Sequence, residues 1–295
     1  MKRAVLIVNP FASRVTEEGI SAVERALMGA AYVRTVRTKR PRHAVELARE
    51  AGDADALIVF SGDGGFNEVL NGVERSDQPL GFLPGGGTSV LPRALGLPRD
   101  PVAAAERLAV ALLEERTRTI STGRVNGRRF GFGAGIGIDA EAVRRIDERG
   151  RSPDGERPGD LAFVGTFARM LLERRGRLEP VLDVEGYGRA AFVLVANVNP
   201  YSFLKTVAIK ASPEAAFEAG LDFLAPVSLT PRTLPPLLLA LATGRPARNA
   251  LRGHDLDRIE VSSDRPLPLQ VDGEDLGDVN EAVFEAERGS ITVLV

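Results

Sequence analysis

The chain has 295 residues, of which 44% are hydrophobic and 26% charged, the balance of a folded globular protein and not of a disordered, collagen-like or polytopic membrane chain. Its 38 basic and 40 acidic residues leave a formal net charge of −2, so no nucleic-acid partner is expected. With no Cys and two His there is no disulfide, no thiol nucleophile and no Cys/His metal cluster, and carboxylates remain as the general bases.

The first 120 residues alternate strand and helix. An apolar run at Ala4–Val8 follows a short basic tip but ends at Asn9-Pro10 with no cleavage pattern, so it reads as a buried strand and not as a signal peptide. Further strands are predicted at Tyr32–Val36, Ala56–Phe60 and Leu80–Leu83. Tyr32–Val36 alternates, as an edge strand does. Helical spacing falls between them at Ile20–Met28, Ala44–Ala51 and Phe66–Val73, and after them at Val102–Leu113. This pattern implies βαβ units on a doubly wound parallel sheet.

After Thr119 the pattern changes. Short strands are predicted at 118–125, 129–137, 180–187, 190–197, 221–226, 258–262 and 267–272, with Asn126-Gly127 as a hairpin turn and a last strand at 291–295. Helices interrupt at 140–148, 161–174 and 234–242, and the polar stretch 149–160 reads as a mobile loop. The fold class is therefore α/β: an N-terminal α/β domain at 1–120, completed by about 278–295, and a mainly antiparallel, sandwich-like domain at 121–277. No segment approaches the ~20 apolar residues of a spanning helix, and Leu234–Ala242 reads as a packed helix. His43 reads as a capping group at a helix start, His254 as part of a polar loop, and Arg144-Arg145 and Arg174-Arg175 as solvated faces.

Two turns carry the chemistry. Ser61-Gly-Asp-Gly-Gly-Phe-Asn-Glu68 follows the third strand and opens a helix. Its glycines let backbone approach an anion, and a helix start favours phosphate. Asp63 has the wrong sign for phosphate and suggests a magnesium ion or a substrate hydroxyl; the plainer alternative is a tight turn with an Asp cap. Pro84-Gly-Gly-Gly-Thr-Ser89 repeats the device after the fourth strand, and Asn9-Pro10 and Thr38 end the first two strands, so all four sites share one sheet edge. Asp272-Gly-Glu274 follows an apolar strand and sets two acids at alternate positions, on one side if the strand continues. Its plain alternative is a solvated hairpin turn.

This set resembles the diacylglycerol kinase catalytic-domain family, which includes sphingosine kinases, ceramide kinases and bacterial lipid kinases. The matching motifs are Asn9-Pro10, Ser61–Glu68, Pro84–Ser89 followed by Arg93-Ala-Leu-Gly-Leu-Pro98, Gly135-Ile-Gly-Ile-Asp-Ala140 and Asp272-Gly-Glu274. The resemblance implies an ATP- and magnesium-dependent lipid kinase with a cleft between two domains. By carry-over, ATP contacts Asn9, Pro10, Phe11, Ala12, Ser13, Thr38, Ser61, Gly62, Asp63, Gly64, Gly65, Phe66, Asn67, Gly86, Gly87 and Thr88. Asp63 meets the ATP-bound magnesium, and Asp272 and Glu274 serve the acceptor side, either one as proton acceptor. The implied partner is a lipid at a membrane surface; the implied location is the cytoplasm and the inner membrane face, and a homodimer stays open.

The chain departs from the family pattern at Ser61 (Gly in the family), Gly65 (Thr), Ser89 (Asn) and in the loop Phe11-Ala-Ser-Arg14, which lacks a Gly. In bacterial members an Asp-Asp-Gly holds a structural magnesium; the matching stretch is Glu218-Ala219-Gly220-Leu-Asp222, where Ala219 offers no side-chain ligand and Glu218 or Asp222 is left as a substitute. Two other readings stay open. NAD kinase shares the Gly-Gly-Asp-Gly element but fits the Thr88 turn and Asp272-Gly-Glu274 less well, and an inactive nucleotide-binding module would accommodate the departures.

Overall fold

The computed structural model describes residues 2–150, 160–204 and 206–295, so most of the loop expected at 149–160 lies outside the described residues. The first elements are β1 (Lys2–Val8), α1 (Glu17–Met28), β2 (Ala31–Arg37), α2 (His43–Glu50), β3 (Ala56–Ser61), α3 (Asp63–Leu70), β4 (Leu80–Pro84), α4 (Val90–Ala94), α5 (Pro101–Leu113) and β5 (Thr117–Val125). Then come β6 (Arg128–Phe130), β7 (Gly133–Ile136), α6 (Ile138–Glu148), α7 (Asp160–Glu173), β8 (Leu182–Val184), β9 (Gly188–Ala190), β10 (Val193–Ala196), β11 (Ser202–Leu204), β12 (Val207–Ile209) and β13 (Leu221–Pro226). The last are α8 (Leu234–Thr243), β14 (Ala250–Leu256), β15 (Arg258–Val271) and β16 (Glu274–Leu294). The chain divides into two compact units, residues 1–121 with 289–295, and residues 122–288.

The first unit is a parallel sheet in the order β2-β1-β3-β4, and the end of β16 joins it beside β4, Val293 opposite Leu80. β3 and β4 are buried along their whole length, as continuous apolar strands require when both sheet faces are covered. β2, at the edge, has only Ala31 buried and sets the exposed Tyr32, Arg34 and Arg37 among partly buried residues. Ile20, Val23 and Leu27 of α1 and Leu108 and Leu112 of α5 pack with Leu6, Ile58 and Phe60 into one core. Each such large apolar side chain contributes about 1.5–3 kcal/mol on burial. The parallel strands end together at Val8, Arg37, Ser61 and Pro84, and the polar turns follow from those ends.

The second unit is mainly antiparallel, in the order β14-β13-β10-β7-β15-β16, with β8-β9 paired along β15 and β6 along β5. Asn126 and Gly127 both hold positive φ in the β5–β6 hairpin. Several elements depart from the sequence reading: β11 and β12 were not expected, the strand read at 129–137 divides into β6 and β7, and the last strand read at 291–295 is the end of β16. The stretch holding His254 is not a loop but β14, paired with β13; its half-exposed polar residues hid the alternation. The separate strands read at 258–262 and 267–272 are one strand, β15, with a register shift between Ser262 and Leu267.

Candidate active site

In the first unit the strand ends are stitched by side chains as well as backbone. Asn9 N–H donates to Phe60 O at 3.0 Å and Thr38 N–H to Val8 O at 2.9 Å. Asn9 Oδ1 accepts from Phe11 N–H at 3.0 Å and from the Thr38 hydroxyl at 3.4 Å. Arg14 N–H donates to Gly85 O, which ties the loop carrying Pro10, Ala12 and Ser13 to the second glycine turn.

The two glycine turns lie backbone against backbone. Gly85 N–H donates to Ser61 O at 2.8 Å. A Cβ added at Gly86 would sit 2.8 Å from Gly62 Cα, so glycine at 86 answers first to the packing of the turns. At Gly87 an added Cβ meets open space, and this residue is exposed. The N-cap of α3 is Gly62, which supplies no side chain to the first amides of that helix, the arrangement that receives an anion.

Asp63 Oδ1 accepts from Val90 N–H at 2.7 Å and so caps α4, a five-residue helix that the sequence did not reveal. Ser89, at φ 47°, holds the turn closed through its hydroxyl, which lies 3.3 Å from Gly86 N and 3.1 Å from Gly86 O. Glu68 carries out the same kind of capping for α2, accepting from Arg42 N–H at 2.8 Å and Ala44 N–H at 3.0 Å. Phe66, expected among the nucleotide contacts, turns its ring inward onto Phe82 and gives its amide to Gly62 O, and the Asn67 side chain is buried with it. Phe11 is exposed, and Thr88 half-buried.

The second unit holds the other acids. Val271 pairs with Glu274, so Asp272 (φ 48°) and Gly273 (φ 80°) are the two central residues of a tight hairpin. The strand does not continue through them, so the expectation that the two acids share one strand face is corrected: an Asp-Gly turn intervenes. Nor is the turn solvated, for Asp272 is only 3% exposed. Its carboxylate accepts from the N–H groups of Gly131 (2.7 Å), Phe132 (3.0 Å) and Gly133 (3.1 Å). Glu274, half-buried, pairs with Arg128 at 2.7 Å.

Beneath this hairpin lies a polar network that the sequence did not assign. Gln270 Oε1 accepts from Gly273 N–H at 2.9 Å, while Gln270 Nε2 donates to Asp139 Oδ2 at 2.8 Å and to the Tyr201 hydroxyl at 2.7 Å. Tyr201 donates to Asp139 Oδ2 at 2.8 Å. Burial pushes the Asp139 carboxyl above the ordinary aspartate range, against the pull of Tyr201 and Gln270. The Gly135-Ile-Gly-Ile-Asp139 segment gains a physical meaning here. A Cβ at 135 would sit 2.6 Å from Asp139 Oδ2, so glycine leaves room for the network, and Gly137 opens α6 at φ 100°. The segment was a visible signal, but Gln270 and Tyr201 were not.

Residues 3–125 match the diacylglycerol kinase catalytic domain. This segment is similar to the catalytic domain of diacylglycerol kinases. The chain is 28% identical over 293 residues to a diacylglycerol kinase of Bacillus subtilis (strain 168), covering 93% of this chain and 90% of that one. It is 28% identical over 211 residues to sphingosine kinase 1 of Homo sapiens, covering 63% and 49%. Its fold matches a crystal structure described as a diacylglycerol kinase from Bacillus anthracis str. Sterne, with TM-score 0.73, 18% identity, and 99% and 96% coverage.

Two departures of this kinase domain from the family pattern explain each other. A Cβ at Gly65 would lie 2.0 Å from Ser61 Oγ and 2.7 Å from Ser61 Cβ. Ser61 therefore occupies the space a side chain at 65 would take: where the family has Gly and Thr, this chain has Ser and Gly. The Ser61 hydroxyl is buried and has no hydrogen-bond partner among the described residues. An unsatisfied buried hydroxyl of this kind suits a ligand that reaches the turn.

A kinase domain takes phosphate from ATP. The uncapped start of α3, the open Gly87 and the unsatisfied Ser61 hydroxyl fit the phosphates of a nucleotide. For magnesium the glycine turns offer Asp63, since Glu68 is engaged in capping α2, and the described residues contain no group of three acids or histidines. That suits only an ion carried on nucleotide phosphates. The structural magnesium that the resemblance implies does not fit the Asp222 site of this chain. Asp222, buried, instead binds His254 Nδ1 at 3.0 Å and Asp255 N–H at 3.0 Å, and Asp255 in turn accepts from Gly220 N–H and pairs with Arg288.

Proposed function

We propose that this chain is an ATP-dependent lipid kinase that phosphorylates a lipid hydroxyl, diacylglycerol or a related lipid, presented at a bilayer surface. The observation that carries the reading is the pair of interlocked glycine turns, Gly62 on Gly86, inside the segment that matches the catalytic domain. In this reading residues 1–121 with 289–295 bind nucleotide, and residues 122–288 bind the acceptor lipid. When bound, ATP supplies the phosphoryl group, and magnesium neutralises its charge.

The chain's own residues hold and orient. Asn9–Ser13, Thr38, Ser61–Gly65 and Gly86–Thr88 would take the nucleotide through backbone amides and the Ser61 hydroxyl. Asp63 would face magnesium while its Oδ1 keeps the second turn in place through Val90. On the acceptor side, Glu274 is the proton acceptor, oriented by Arg128. Asp272 is the positioning residue: its carboxylate already meets three backbone amides, and so it fixes the turn from which Glu274 starts.

The test separates binding from chemistry. General-base loss costs about 10²–10⁴ in rate. Glu274→Gln should lower kcat on the active lipid by that factor and leave ATP affinity unchanged in a direct titration. Wild-type kcat in this variant would remove Glu274 from the reaction.

A further inference from the structure

We propose that α8, with Arg232, Arg245 and Arg248, is the face by which this chain docks on an anionic bilayer surface. The inference rests on the lipid-kinase reading, which requires a bilayer-borne acceptor, and adds the part of the chain that meets the bilayer.

α8 is apolar on both sides. Leu237 and Ala240 are buried, with Leu234 and Leu241 packed half-buried beside them on the core of the second unit. The opposite stripe, Pro235, Leu238, Leu239 and Ala242, follows the i, i+3, i+4, i+7 spacing of one helix face. A helix lying on a water-facing surface carries polar residues there. Here Leu238 is 50% and Leu239 58% exposed. β12 lies alongside, with Lys210 N–H on Leu241 O at 2.7 Å, and Val207 on that strand is exposed as well.

Charge selects the occupant. Between Asp222 and Asp255 the sequence contains no acidic residue, yet it carries Arg232 before α8 and Arg245 and Arg248 after it. All three arginines are exposed. Elsewhere in this unit Arg144 pairs with Asp275 and Asp278, and Arg145 and Arg174 pair with Glu141, so those cations are neutralised. No ion pair meets the three arginines around α8 among the described residues. An apolar ridge with cations at both ends matches an anionic lipid surface, leucines towards the acyl boundary and guanidinium groups at the headgroups. A second copy fits poorly, because an isologous contact would set arginine against arginine. At ten residues α8 is about 15 Å long. That is half a bilayer core, so it lies in the interface and does not span.

The experiment is vesicle sedimentation of the full chain with phosphatidylglycerol–phosphatidylcholine vesicles and with phosphatidylcholine alone. Phosphate transfer to a short-chain, water-dispersed diacylglycerol is measured on the same samples. Wild type should prefer the anionic vesicles, and 0.5 M salt should abolish that preference. Leu238→Gln/Leu239→Gln should lower binding at least about tenfold. Arg232→Gln/Arg245→Gln/Arg248→Gln should lower it by about fivefold per arginine. Leu113→Gln, at a leucine 63% exposed on α5, should leave binding unchanged. Short-chain transfer should survive in every variant.

Wild-type binding by either α8 variant, or an equal loss in Leu113→Gln, would overturn the proposal. So would a wild-type dimer that the leucine variant splits without changing vesicle binding. Vesicle binding that responds as expected, in a protein that phosphorylates no lipid, would support the docking face and remove the kinase reading alone.

Discussion

Replacing Gly65 tests whether Ser61 occupies the place of a side chain at 65. Gly65 is the third residue of α3, where Gly→Ala ordinarily gains about 0.5–1 kcal/mol of helix stability. Here the new Cβ would lie 2.0 Å from Ser61 Oγ and 2.7 Å from Ser61 Cβ. Rotation of the serine could move its hydroxyl, but its Cβ is fixed by the strand, so β3 and α3 must separate. Overpacking of this kind costs about 1–3 kcal/mol, which outweighs the helix gain and leaves Gly65→Ala about 1–2 kcal/mol less stable. Ser61→Gly removes the obstacle at about 0.5–1 kcal/mol of strand cost. The double variant should therefore lie near wild type, with a coupling of about 1–3 kcal/mol against the sum of the singles. Urea unfolding of the four proteins gives the cycle. Ser61→Gly/Gly65→Thr, the pair the family uses, should also retain ATP affinity in a titration. Single effects that add within about 0.5 kcal/mol would refute the reasoning.

Gly86 and Gly87 should separate packing from ligand approach: Gly86→Ala should lose about 1–3 kcal/mol in urea unfolding through the Gly62 backbone, while Gly87→Ala should keep wild-type stability and lose ATP affinity. Asp272→Asn leaves one acceptor oxygen for three amides and should destabilise the chain by at least about 2 kcal/mol in thermal unfolding; wild-type stability with kcat abolished would make Asp272 catalytic instead. The Asp222 carboxylate, helped by Glu214 and Asp255, raises the His254 pKa above its ordinary value near 6.5. The stabilisation from the His254–Asp222 pair is then complete below about pH 6.5 and lost as pH rises through the folded-state value. Wild-type Tm should fall over that window relative to His254→Gln, and parallel curves would exclude the linkage.

The strand–helix order of the first unit was legible because its signals are local. Continuous apolar runs such as Ala56–Phe60 are too short for a typical helix and are bounded by turn residues, so they read as buried strands, and the glycine clusters at their ends read as turns. α4 was not, for it has five residues, contains Pro92, and is held by Asp63 and Ser89 from outside its own segment. β14 was missed because Arg252, His254 and Asp255 face other polar groups and not a core. The acids at 272 and 274 were visible, but their roles depend on partners 130–150 residues away, Gly131–Gly133 and Arg128, which no spacing rule reaches. Gln270 and Tyr201 were hidden in the same way, lying 131 and 62 residues from Asp139. The departures at Ser61 and Gly65 read as two independent tolerances, and only the approach of β3 to α3 makes them one exchange.

Phosphate transfer from labelled ATP, offered diacylglycerol, a sphingoid base, a glycolipid and phosphatidylglycerol in mixed micelles alongside NAD, tests the central claim most directly. The account predicts label on at least one lipid hydroxyl and none on NAD. Label on NAD alone, or no label on any acceptor from protein that binds ATP, would contradict it.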